Sequence, residues 1–549
     1  MSTATADTPQ IATTRPPGAA DAGKAAHQHR VATIAAAVRE AASSAETAHI
    51  DKGGVHHVVP LATDRRFTSR SIDTSALTHV IELDPLGRTC VAEAGVTFEA
   101  ILRVTLEHGL IPTVVPELRG ITLGGAVAGC SVESMSFRHG GFHDSCLAYE
   151  VVDGTGTVRT LSRERDRALF DMVHGSYGTL GIVTAVTFEL VPAKPFVEVT
   201  YRHFHRADEY RAAIVEACDL DRDDGPDFVD GIVHAPNHLT LCEGRFVDRP
   251  GTGASVYSTG AIYWRSTAER RRDVLSTEEY CFRYDSECHW MTATIPPLQW
   301  GWVRRLVGRH VLGSTNLIGW SNRLAPIIRH LRRRPEVVCD VFVPETRFGD
   351  FWAWYTRVFD FWPLWVVPYR ARSQYPWLGP VPSETMRAGE LCIDFAVYGK
   401  SNNEAGRDYS ELLETETLAL GGIKTLIGRN HFDRETFWRT YDWPAYAAAR
   451  AKLDPHAVPR PVRQVGPRRL SHPPPAPLSP VLSRESRGVA ATFARQNQRG
   501  SGAAGSTENA MVAGHRARPP SRLSIRKDQL TVSPFVTVTL PPAVWITTS

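Results

Sequence analysis

Ten consecutive residues, Gly120–Gly129, hold four glycines, at 120, 124, 125 and 129. So few side chains cannot make an apolar stripe. Such a run is held by something that comes close to bare backbone, either a neighbouring element or a ligand. It lies within Val115-Pro116-Glu117-Leu118-Arg119-Gly120-Ile121-Thr122-Leu123-Gly124-Gly125-Ala126-Val127-Ala128-Gly129-Cys130-Ser131-Val132-Glu133-Ser134. One reading is a short helix packed tightly through Gly and Ala, and on composition alone this is the stronger. The other is a helix begun at Gly124 whose bare N–H groups, at its positive end, reach a pyrophosphate. The binding segment is then Thr122, Leu123, Gly124, Gly125, Ala126, Gly129, Cys130, Ser131, Val132, Glu133 and Ser134, with the Thr122 and Ser131 hydroxyls as donors. A second run, Ser176-Tyr177-Gly178-Thr179-Leu180-Gly181-Ile182-Val183-Thr184, places two glycines before a strand. A turn there can pass beside a flat ring, with Gly178, Thr179, Gly181, Ile182 and Val183 offering backbone to its polar edge. Alone this signal is weak, because a Gly-containing turn before a strand is ordinary.

Around these runs short strands and helices alternate. Val31, Ile34, Ala35, Val38 and Ala41 have helical spacing, which predicts a helix over 31–48. Strands are expected at Val55–Leu61, His79–Leu83 and Thr89–Glu93. Thr97 can cap a helix running to His108, with Gly109 as its stop. Cys146–Val152 and Thr157–Leu161 read as a hairpin, and Ile182–Val191 as a long alternating strand. Pro192 and Pro195 mark the exit into a second mixed unit. Its strands are expected at Phe228–His234 and Leu391–Tyr398, and its helices at Ser410–Leu420 and Arg434–Leu453. Most of the 13 tryptophans fall in this unit, which suits a flat apolar ligand as well as a core. The expected organisation is a disordered start over 1–30, one α+β domain over 31–195, a second over 196–456, and a Pro/Arg-rich disordered tail over 457–549.

Charge and composition exclude several classes. The tail carries 13 Lys/Arg against 3 Asp/Glu, a net +10, whereas the remainder carries 49 against 56, a net −7. A mildly acidic body gives no footing for nucleic acid. No apolar run approaches a membrane span, and no signal peptide is legible, so a cytoplasmic location is expected. Phe361–Tyr369 is the greasiest stretch, either a buried strand or a lipid-touching surface. The strand reading is preferred, and peripheral membrane contact stays open. Nine scattered cysteines without a CxxC pair read as reduced thiols. Cys281, Cys288 and His289 match no zinc spacing, so no metal is expected. Gly399-Lys400-Ser401 lacks the opening glycine of a P-loop, and Gly154-Thr155-Gly156 lacks the third glycine of a dinucleotide fingerprint.

Taken in order, several segments resemble one known family. They are Val115-Pro116-Glu117-Leu118, Thr122 through Ser134, Ser136-Phe137-Arg138-His139-Gly140, Gly178-Thr179-Leu180-Gly181, Pro363-Leu364-Trp365, Glu390-Leu391-Cys392-Ile393-Asp394 and Arg434-Glu435-Thr436-Phe437-Trp438. They are similar to FAD-linked oxidoreductases of the vanillyl-alcohol oxidase and p-cresol methylhydroxylase type, and within these to the Δ24-sterol reductases. The resemblance covers about residues 55–455. It implies an α+β fold in which a two-subdomain FAD-binding domain is followed by an α+β substrate or cap domain. It also implies FAD as cofactor, NADPH as reductant, and reduction of an isolated C=C bond in a sterol or isoprenoid side chain. The candidate proton donors are Tyr177, Tyr441 and His431. An alcohol oxidase of the same fold, or a flavin- or sterol-binding protein without turnover, are the rival readings. Ser131 stands where the family usually has Gly, and the first phosphate loop, around Leu61–Arg70, has no glycine. Arg65, Arg66, Thr68 and Ser69 are its substitutes. His56 and His57 lack the Gly-His-Ser context of covalent flavin attachment, so FAD is expected to be held non-covalently.

Overall fold

The computed structural model describes residues 19–53, 69–251, 253–258, 260–287, 296–320, 323 and 334–458. The strand expected at Val55–Leu61, the first phosphate loop before Ser69, His56, His57, Cys288, His289 and the tail from 459 lie outside the described residues.

Two antiparallel sheets organise the chain. The first is built from β3 (Val80–Asp84), β4 (Thr89–Glu93), β5 (Leu110–Pro112), β6 (Cys146–Val152), β7 (Val158–Ser162) and β8 (Ile182–Pro192). Its order is β3-β4-β8-β6-β7, with β5 pairing the end of β8. A separate parallel pair precedes it, β1 (Ala48–Asp51) on β2 (Arg70–Asp73). Strand β8 is central because its sequence alternates: Val186, Phe188 and Leu190 are buried while Thr187, Glu189 and Val191 are half-buried. The second sheet runs β12-β9-β11-β10-β14-β15-β13-β16 among the described residues. Its strands are β9 (Phe196–Phe204), β10 (Phe228–Ala235), β11 (His238–Val247), β12 (Arg272–Ser276), β13 (Val337–Pro344), β14 (Leu364–Arg370), β15 (Leu391–Lys400) and β16 (Ile423–Lys424). The first sheet thus ends at Pro192 and the second begins at Phe196. Strand β14 lies between β10 and β15, so Leu364 through Tyr369 are buried. The greasy stretch is core there, not a lipid-facing surface.

Helix α1 (Ala19–Ser43) starts well before residue 31 and corrects the disorder expected over 1–30 for residues 19–30; residues 1–18 lie outside the described residues. Its early residues are held by ions. His27 bonds Glu93 at 2.8 Å and Glu150 at 3.0 Å, and Arg30 bonds Glu93 at 2.8 Å. An apolar-periodicity rule cannot see such contacts. Helix α2 (Phe98–Thr105) follows its local signals: Thr97 accepts from the Ala100 N–H, and Gly109 sits at φ +65. Helix α3 (Leu123–Gly129) carries the first glycine run, and α4 (Arg167–Val173) leads into the second. Helix α5 (Gly301–Leu312) is interrupted at Gly308. The single helix expected over Arg434–Leu453 is two, α6 (Arg434–Thr440) and α7 (Trp443–Leu453). Pro444 cannot donate inside a helix and belongs in a first turn, and Asp442 caps that new start by accepting from the Ala445 N–H.

Candidate functional site

The two glycine runs, some 50 residues apart in sequence, form one surface. Gly175 donates from its N–H to the Val127 carbonyl and Tyr177 to the Ala128 carbonyl, both at 3.2 Å. The loop before β8 is thereby stitched to the C-terminal end of α3. Cys130 (φ 54) and Tyr177 (φ 50) hold left-handed backbone at this seam, a costly conformation for residues with a Cβ.

This surface lines a cavity of about 1070 Å³, its open mouth included. Gly129, Cys130, Val132, His174, Gly175, Ser176, Tyr177 and Thr179 contribute from the first part of the chain. Phe342, Tyr369, Tyr375, Trp377, Leu378, Met386, Phe437, Trp438, Tyr441 and Tyr446 contribute from the later part. The lining suits a flat ring system. A side chain at Gly129 would meet no atom within 4 Å, so its backbone is bare. The aromatic residues supply faces for stacking. Both ring nitrogens of buried His174 have no protein partner, which leaves them for a ligand's polar edge.

The pyrophosphate half is less simply read. The Leu123 and Gly124 N–H groups already donate to Val96 (3.0 Å) and Ala94 (2.8 Å) carbonyls, and that of Gly125 to Thr122 Oγ1 (3.3 Å). Those donors at the start of α3 have protein partners, so Thr122 acts as a helix cap. A Cβ on Gly124 would lie 2.9 Å from Ala94 Cβ and 3.1 Å from its carbonyl oxygen. Gly124 therefore serves close packing, the reading composition favoured. Gly125 is exposed, with only Thr122 Oγ1 nearby. Leu123 and Ala126 are core. Ser131 uses its backbone to bond Ala126 and Phe142.

Glu133 and Ser134 lie in a buried ionic knot. Glu133 and Asp230 each bond Arg283 at 2.9 Å, while Tyr284 and Trp365 donate to Asp230 at 2.9 Å. Tyr280 and Tyr284 place their rings 4.2 and 4.7 Å from the guanidinium. These residues tie the loop following α3 to β10 and β14, away from the cavity lining. Of the second run, Thr179 lines the cavity, Gly178 turns at φ +72, and a Cβ on Gly181 would strike Val151 Cγ1 at 2.7 Å. Ile182 and Val183 belong to β8.

Two of the three proton-donor candidates meet at the cavity. Tyr177 accepts from the Leu426 N–H at 3.0 Å, which leaves its own O–H to be directed elsewhere. Tyr441 donates to the Lys424 carbonyl at 3.3 Å. Burial raises both phenols well above the ordinary tyrosine range. His431 does not line the cavity. It sits with Asp408 and Glu411, ligand atoms within 4.8 Å of one another, and Arg429 already engages Asp408 at 2.6 Å. Lys424 lines the cavity but commits its ammonium to Arg429 O, Asn430 Oδ1 and Glu414.

Sequence reasoning missed a polar cluster on the cavity wall. Tyr375 donates to Asp144 Oδ2 at 2.6 Å and pairs with His143 Nε2 at 3.0 Å and Tyr369 Oη at 2.9 Å. The His143 and His174 rings lie 5.1 Å apart. Burial, reinforced by His143, holds His174 well below the usual imidazole range, so it is neutral. Its one sequence signal is position: His174 directly precedes the second glycine run.

Residues 26–162 match the FAD binding domain family, beginning within α1. Over 402 residues, 68% of this chain and 75% of the relative, the chain is 25% identical to a Delta(24)-sterol reductase homolog of Caenorhabditis elegans. Over 390 residues, 69% and 74%, it is 24% identical to the Delta(24)-sterol reductase of Homo sapiens. A shorter match, 40% over 93 residues, links it to cytokinin dehydrogenase 7 of Oryza sativa, covering 17% of this chain and 18% of the relative. The resemblance read from Thr122–Ser134 and its companions is borne out, and FAD is the cofactor it implies.

Proposed function

We propose that this chain, an FAD-dependent oxidoreductase, reduces an isolated C=C bond in the side chain of a sterol or similar isoprenoid, with NADPH as electron source. The observation that carries this is the cavity. Bare backbone at Gly129, with the Gly175–Tyr177 loop beside it, meets a lining of Met, Leu, Phe and Trp side chains in one space. An alkene tail has no polar handle, so only such a lining can grip it.

FAD, when bound, would supply the two-electron chemistry that links a nicotinamide to an alkene carbon. Gly129, Cys130, Gly178 and Thr179 would hold its ring in this reading, and Gly125 its pyrophosphate. Phe342, Trp377, Phe437 and Trp438 hold the alkene in place and exclude water. The second hydrogen arrives as a proton, and Tyr177 is the better donor because its hydroxyl proton is not spent on a carbonyl, as that of Tyr441 is.

The test is spectral. Anaerobic NADPH should bleach the yellow protein, and a Δ24-sterol should restore the colour. Bleaching by an alcohol instead would mean an oxidase, and bleaching by neither would mean a binder without turnover. Acid precipitation should leave flavin in the supernatant, because the covalent-attachment context is missing.

A further inference from the structure

One surface stands apart from the site. Trp300, Trp302 and Leu306 are 53%, 64% and 80% exposed, the opposite of what a free, soluble surface favours for large apolar side chains. The two indole rings stack on each other, centroids 6.1 Å apart and 22° between planes. Trp302, Arg305 and Leu306 are three and four residues apart on α5, hence on one side of it. The other side is bolted down. Arg304 is buried and pairs with Glu287, and it also donates to Ser286 Oγ at 3.3 Å. Beyond α5, Ser314 bonds Asp285 at 2.6 Å and Leu317 packs on Leu118. The segment is therefore fixed to the body with its apolar side outward. Trp320, 43% exposed, lies in the helical stretch that follows.

Charge in the sequence run that carries this face is of one sign. From Cys288 to Pro335 the chain has eight arginines and no Asp, Glu or Lys. Arg304 and Arg334 are engaged by acids of the body, whereas Arg305 and Arg323 are exposed. Tryptophan and leucine flanked by arginine, without acids, is what the boundary between lipid headgroups and acyl chains selects. A second copy of the chain fits poorly, since a two-fold contact would bring arginines together with no acid in the run to meet them.

We propose that Trp300, Trp302, Arg305, Leu306, Trp320 and Arg323 form a docking face for the surface of an anionic phospholipid bilayer. The indoles and Leu306 enter the interfacial layer, and the guanidinium groups meet lipid phosphates. Nothing here crosses the bilayer.

The full-length chain should sediment with vesicles of phosphatidylcholine plus phosphatidylglycerol, weakly with phosphatidylcholine alone, and less as salt rises. Brominated lipid should quench its tryptophan emission. The variant Trp300→Ser/Trp302→Ser/Leu306→Ser should lose vesicle binding yet keep its melting temperature and flavin content, because these side chains support nothing inside. Arg305→Gln should weaken binding about fivefold. The basic C-terminal segment could also attract anionic vesicles, so undiminished binding by the triple variant would assign the contact to that segment and overturn the proposal. A wild-type chain that ignores both vesicles would overturn it too. So would a dimer in sedimentation that the triple variant turns into monomer.

Discussion

Gly124 and Gly125 are neighbours with different duties, and substitution separates them. Gly124→Val forces atoms against Ala94 and should cost about 1–3 kcal/mol of stability with or without FAD. Gly125→Asp meets open space, so the apoprotein should stay folded. In the proposed site it sets a carboxylate beside pyrophosphate. Two unit charges about 4 Å apart repel by roughly 4 kcal/mol at an effective dielectric near 20, on the order of a thousandfold in affinity. Melting curves and FAD titration of both variants check this, and wild-type FAD affinity in Gly125→Asp would remove that glycine from the site. At the tyrosines, Tyr177→Phe should lower turnover about a hundredfold or more with KM and flavin content little changed. Tyr441→Phe should cost about 1 kcal/mol of stability and little turnover. Equal loss of turnover in both would disprove the choice of donor. The glycines were legible because they are consecutive in sequence. The Tyr375–Asp144–His143 cluster was not, because its members come from positions 144 and 375 and only folding joins them.

Among the elements, α1 has a pH signature. Burial alone would lower the His27 imidazole, but hydrogen bonds and charge from Glu150 and Glu93 outweigh it and raise its pKa to about 9. Its contribution is full below 6.5, the ordinary value, and is lost as pH rises through about 9. Burial would likewise raise Glu93, yet bonds from His27, the His79 N–H and Arg30 bring it down to about 2. Its contribution is present above 4.5 and is lost as pH falls through about 2. His27→Gln should therefore cost roughly 3 kcal/mol near neutrality, as for other broken buried ion pairs, and flatten the alkaline decline in melting temperature. An unchanged alkaline limb would refute this account of α1. The contrast with α2 shows what a sequence can disclose. Thr97 and Gly109 act on residues within a turn of themselves, and the helix they bound is where they predict. The start of α1 depends on Glu93 and Glu150, 66 and 123 residues from His27, and no local rule reaches them.

For the whole molecule, one small contact holds the last described residue to the body. Val458 is buried against α1, and its carbonyl accepts from the Ala48 N–H at 2.8 Å. The body therefore extends past the position where composition changes. All the described residues belong to one compact unit. A chain ending at Pro477 should keep the melting temperature and flavin content of the full chain, and one ending at Leu453 should lose several degrees. Equal melting of the two would show that the Val458 contact carries nothing.

The cavity is lined first by residues 129–179 and then by residues 342–446. On the ribosome the earlier part emerges long before the later. Until Tyr446 has left the exit tunnel, the glycine seam has no second wall, and its His174 and bare backbone face water. In the proposed site, cofactor capture follows the arrival of the second wall, and nascent chains arrested short of residue 423 should carry no flavin however long they are held.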